Sequence, residues 1–110
     1  MKMLMSKRNK EWLESNGFEF EEKDAWYEWR REMSNKVVID VSLMKSDDTY
    51  GTVSVYDMQS GTMCNFPSHC AHMKRGHIEK TIEHALNYAK DRLVESLVRF
   101  SSVKNDLIDE

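Results

Sequence analysis

Val37-Val38-Ile39-Asp40-Val41-Ser42-Leu43 is the stretch on which the fold turns. Its odd positions are all apolar, and its even positions carry Val38, Asp40 and Ser42. A period of two marks a strand with one buried face, because successive side chains leave a pleated backbone on opposite sides. Gly51-Thr52-Val53-Ser54-Val55 repeats the pattern downstream. Upstream, Phe18 and Phe20 alternate with Glu19 and Glu21, and the run Ala25–Met33 is rich in aromatic residues. The gaps Glu22-Lys23-Asp24, Ser34-Asn35-Lys36, Ser46-Asp47-Asp48 and Met58-Gln59-Ser60-Gly61 are short and turn-like. Consecutive strands can therefore join as antiparallel hairpins. A fifth short strand fits Thr62–Phe66, so the expectation is a four- or five-stranded meander over residues 17–66.

Register follows from the need to place every core residue on one face. A turn centred on Lys23-Asp24 pairs Phe20 with Tyr27 and Phe18 with Trp29. Loops at 34–36 and 46–48 set Trp29 against Val41 and Val41 against Val53. A loop at 58–61 brings Val55 to Cys64 and Val53 to Phe66. The inner face then holds Phe18, Phe20, Tyr27, Trp29, Val37, Ile39, Val41, Leu43, Val53, Val55, Cys64 and Phe66. Arg31 breaks the pattern, pointing inward beside Ile39.

Both ends of the chain read as helix. Ile78, Ile82, Ala85, Leu86, Ala89, Leu93 and Leu97 form one apolar stripe, which predicts a long helix over 77–100. The tail 101–110 is polar and expected to fray. Ser6 as N-cap and Asn16-Gly17 as stop frame a short helix over 6–16, anchored mainly by Trp12 and Leu13. Such a helix needs tertiary support. The fold class expected is α+β, a single domain with the sheet packed on the long C-terminal helix.

Composition bounds the function classes. The chain has 110 residues, 40% hydrophobic and 32% charged, too apolar for disorder and too charged for a membrane protein. No apolar run approaches the roughly 18 residues a membrane span needs. The opening Met-Lys-Met-Leu-Met-Ser-Lys-Arg-Asn-Lys regains charge too soon for a secretory leader. Two cysteines are too few for a disulfide scaffold, and a cytoplasmic location is expected. Sixteen Lys and Arg against nineteen Asp and Glu give a net charge of −3, which does not favour non-specific polyanion binding.

The strand parity also fixes an outer face: Glu19, Glu21, Trp26, Glu28, Arg30, Glu32, Val38, Asp40, Ser42, Met44, Tyr50, Thr52, Ser54, Tyr56 and Met63. Arg30 falls opposite Asp40, a favourable pair, and Glu19 opposite Glu28, an unfavourable one. Trp26, Met44 and Tyr50 line up across three strands, with Tyr56 towards the other end. A solvated sheet face usually carries Thr, Lys and Glu instead. Three readings are open: the first helix covers this row, a partner protein does, or a second copy does. Aromatic and methionine side chains are common interface anchors.

Other motifs carry less. Cys64, His69, Cys70, His72 and His77 are zinc-ligand types, but the Cys-x5-Cys spacing is wide and parity turns Cys64 into the core. No metal or other cofactor is expected. Cys70 flanked by two histidines lacks the oxyanion turn and spatial partners of a catalytic dyad, so no enzyme activity is expected. Lys74, Arg75, His77 and Lys80, with Lys2, Lys7, Arg8 and Lys10, could contact phosphates at the helix N-terminus. The helix-and-sheet layout resembles small RNA-binding folds, yet the sheet carboxylates would repel a nucleic-acid backbone.

The sequence reading is thus a non-enzymatic protein-binding or inhibitor domain, with Trp26, Met44, Tyr50, Tyr56, Glu19, Glu21 and Glu28 facing a partner with a basic surface. The architecture is analogous to small phage or mobile-element proteins, such as anti-CRISPR inhibitors, that block host nucleic-acid-handling complexes in the host cytoplasm; this is analogy of layout, with no motif behind it. RNA or DNA binding is the first alternative, and a homodimeric structural domain the second.

Overall fold

Alternating β-branched residues build the sheet and two amphipathic helices cover one side of it. The computed structural model describes residues 5–33, 36–45, 50–69 and 76–92, with side chains for all of these but Tyr50, Ser68, His69, Asp91 and Arg92. Helix α1 (Lys7–Ser15) leads into strands β1 (Glu19–Glu22), β2 (Trp26–Glu32), β3 (Val37–Met44), β4 (Tyr50–Asp57) and β5 (Thr62–His69), and helix α2 (Ile78–Arg92) follows. The strands pair antiparallel in sequence order, a five-stranded meander. β5 extends past Phe66 to His69, with Pro67 on the sheet edge, where a missing N–H is tolerated. The expected continuation of the second helix to 100, and the tail 101–110, lie outside the described residues.

Three of the four hairpins keep the expected register. Trp29 pairs with Val41, Val41 with Val53, and Val55 with Cys64. The first hairpin is shifted. Phe20 sits opposite Trp29, not Tyr27, and Glu19 opposite Arg30, so the like-charged pair is Glu21 with Glu28. The cause lies at the helix exit. The Phe18 backbone N–H donates to the Leu13 carbonyl at 2.9 Å, and Gly17 adopts φ 80° to make that turn. Phe18 therefore closes α1 and packs on Trp12 instead of starting β1. The Lys23 N–H then donates to the Trp26 carbonyl at 2.8 Å, centring the turn on Asp24-Ala25. A shift of two positions preserves parity, so the inner and outer sets survive it.

Trp12, Leu13 and Phe18 join Trp29, Val37, Ile39, Val41, Leu43, Val53, Val55 and Cys64 in one core with Ile78, Ile82, Ala85, Leu86 and Ala89 of α2. Tyr27 and Phe66 pack at its margin. Phe20 departs from expectation: it is 50% exposed, on the edge strand at the open side of α1, with its ring 4.9 Å from that of Trp29. Both helices thus lie on the same side. They are latched together: Arg8 grips Glu79 with both guanidinium nitrogens, Nη1 to Oε1 at 2.8 Å, and the fully buried Asn9 accepts the first N–H of α2, from Ile78, at 3.2 Å. Ser6 caps α1 by accepting from the Asn9 N–H at 3.3 Å. Arg31, the inward exception, has a task there. Its Nη1 donates to the Asn16 carbonyl at 2.6 Å, a cation at the negative end of α1.

Candidate functional site

The outer face is not flat. Strands β3 and β4 place the short side chains Asp40, Ser42 and Ser54 between the longer Trp26, Glu28 and Arg30 of β2 and the Tyr56 and Met63 of β4 and β5. The result is a depression of about 390 Å³ over the middle of the sheet. All of its lining comes from strands. Val38 forms part of the floor and is only 2% exposed, though it faces away from both helices.

Charge in the depression is held in place by short bonds. Ser42 Oγ donates to Asp40 Oδ1 at 2.8 Å, and the Trp26 indole Nε1 donates to Glu28 Oε1 at 3.1 Å. Arg30 Nη1 stands 3.9 Å from Asp40 Oδ2, too far for a hydrogen bond. The Asp40 pKa is raised, chiefly because the carboxyl is removed from water; the neighbouring Glu28 adds to the rise, and Ser42 and Arg30 oppose it.

The residues singled out from sequence do not all meet here. Trp26, Glu28 and Tyr56 line the depression. Met44 lies opposite Trp26, exposed and outside the lining. Glu19 and Glu21 stand on the edge strand, outside the lining, with Lys23 3.1 Å from Glu21. Tyr50 opens β4 opposite His69, and its side chain is outside the described set. Asp40, Ser42, Ser54 and Arg30 were on the outward set but not among the candidate site residues. Their signal is size: small side chains beside large ones on neighbouring strands make a hollow.

The first helix does not cover this face, since its apolar residues join the core on the other side. A second hollow, between α1 and the first hairpin, is lined by Lys10, Glu14, Phe18, Phe20 and Trp29. Of the zinc-ligand types, Cys64 is buried in the core and His77 is exposed; Cys70 and His72 lie outside the described residues. Among the described residues no cluster of three His, Cys, Asp or Glu could hold a metal ion. Nor is any described helix long and apolar enough to cross a membrane. Compared with known protein families, curated proteins and solved structures, the chain matches none.

Proposed function

We propose that the chain is a non-enzymatic protein-binding domain that docks through its outer sheet face onto a basic surface of a partner. The supporting observation is the acidic, aromatic-walled depression on the side of the sheet that neither helix covers. Large hollowed surfaces with aromatic margins are characteristic of recognition, and a polar floor sets which partner fits. Trp26 and Tyr56 act as anchors, and Glu28 and Asp40 as the charges read by the partner. A basic groove that normally holds a polyanion has matching charge, so the domain acts as a steric and electrostatic inhibitor of a nucleic-acid-handling complex.

Nucleic acid is the weaker fit. Arg8, one of the N-terminal cations, is already engaged by Glu79, and carboxylates occupy the sheet face. The test is capture of a partner from the source cell with the intact chain as bait. Trp26→Ala should lose that partner, by about 2 kcal/mol or more of affinity, while its unfolding midpoint stays near that of the parent. Undiminished capture by Trp26→Ala refutes the proposed face. Salt-dependent RNA or DNA binding would replace it with the nucleic-acid reading. A dimer in sedimentation that Trp26→Ala dissociates would assign the face to a second copy.

A further inference from the structure

Resting on that protein-binding reading, we propose that the depression between Trp26 and Tyr56 receives one arginine side chain of the partner protein, with Glu28 and Asp40 holding its guanidinium. Asp40 accepts from the Ser42 hydroxyl and Glu28 from the Trp26 indole N–H, and the two carboxyl groups lie within hydrogen-bond reach of each other, a pairing that a cation would relieve. Preorganised acceptors lose little freedom when a ligand arrives. Each still has acceptor capacity, because an ionised carboxylate offers about four lone-pair sites. The nearest cation, Arg30, leaves that capacity unused. It is 54% exposed and reaches Asp40 only at 3.9 Å.

Two carboxylates against one loosely placed guanidinium leave a net negative charge in a hollow that is partly shielded from water; the Asp40 side chain is 17% exposed. The strain is visible in Asp40, whose affinity for a proton is raised by burial first and by Glu28 as well. A second guanidinium would relieve it. Arginine fits better than lysine: its planar fork can meet two carboxylates at once, it stacks on aromatic rings, and it sheds water more readily. The edge carboxylates are poorer receivers, since Lys45 already stands 2.7 Å from Glu22 and Lys23 3.1 Å from Glu21.

The probe is N-acetyl-arginine N-methylamide, titrated into the full chain and followed by NMR at the Trp26 indole and the Asp40 and Ser42 amides. Saturable shifts at these positions, with a dissociation constant on the order of millimolar, are expected for one side chain. Asp40→Asn should weaken binding about tenfold, and Glu28→Gln serves as second variant should Asp40→Asn lose its fold. Glu11→Gln, at an exposed position of α1, should leave it within about twofold. The lysine analogue should bind several-fold more weakly. Binding should also fade as pH falls through the raised Asp40 range, because a proton and a guanidinium compete for the same oxygens; Glu28 and Arg30 of β2 and Tyr56 of β4 are the titratable groups facing it. Absence of saturable shifts, or equal binding by Asp40→Asn, overturns the arginine receptor. If Trp26→Ala still loses the partner in that case, the docking face stands and only its ligand is wrong.

Discussion

The two faces of β3 share one backbone and one set of hydrogen bonds, yet they live in different solvents. Ile39, Val41 and Leu43 point towards the helices and are buried; Asp40 and Ser42, between them, open onto the outer hollow. The inner face gets its energy from apolar area removed from water, which α1 and α2 supply. The outer face has no such cover, so its polar groups bond to each other along and across the strands. Stability and recognition are thereby assigned to opposite sides of the same strands. A change on one side should leave the other property nearly untouched.

The sharpest way to break this contrast is Ile39→Ala against Ser54→Ala. Ile39 is fully enclosed, and truncating it should cost about 2–5 kcal/mol in urea unfolding. Ser54 bonds to the exposed Asn65, and its loss should fall within about 0.5 kcal/mol. Comparable losses would mean that something covers the outer face as well. A smaller effect is expected at the hairpin joining β4 to β5. Asp57, although polar, is fully buried; its carboxylate accepts from the Gln59 N–H and the Ser60 hydroxyl, fixing the turn that ends at Gly61 with φ 74°. Asp57→Ala should therefore destabilise by about 1–3 kcal/mol, again read from urea unfolding, because it removes the two hydrogen bonds to a charged group that hold the turn.

The contrast between faces is legible in the sequence, and its details are not. Valine and isoleucine at every second position leave one workable parity, and loop lengths set three registers. The first hairpin slipped because Phe18 is claimed by the end of α1, through a backbone bond to Leu13 that no alternation pattern records. The position of α1 was equally hidden. Trp12 and Leu13 announce that it must be covered, but the side is chosen by the contacts of Arg8 and Asn9 with Glu79 and Ile78, some seventy residues away. At the site, Trp26, Glu28 and Tyr56 are conspicuous as large outward groups. Asp40, Ser42 and Ser54 are not, because a hollow is made by what is small, and small residues reveal it only once their neighbours are fixed.

The latch between the helices tests the inner side by pH. Arg8 holds the Glu79 carboxyl down to about 2, from an ordinary 4.5. A depressed folded pKa means stability that is complete above the unfolded value and drains away as pH falls from about 4.5 towards 2. Arg8 is partly exposed, so solvent screens part of this, and Glu79→Gln should cost about 1 kcal/mol at neutral pH. The variant should also show a flatter acid limb in thermal melts across that window. An unchanged limb would place the link between α1 and α2 in packing alone.

Asp40 should behave in the opposite sense. Its folded pKa is raised, so the ionised carboxylate is worse off in the fold than in the unfolded chain. As pH falls through the raised value the folded form takes up a proton first, and stability rises until the ordinary value of 3.8 is passed. Asp40→Asn removes the charge and keeps a partner for Ser42, so at neutral pH it should change stability by less than about 1 kcal/mol, in the stabilising direction. Thermal melts at neutral and acidic pH decide this. If the variant is instead clearly destabilised, the carboxylate serves the fold, and the separation of the two faces fails at its centre. If it is as stable as the parent and no longer binds the partner, a charge that does nothing for folding is there for what it contacts.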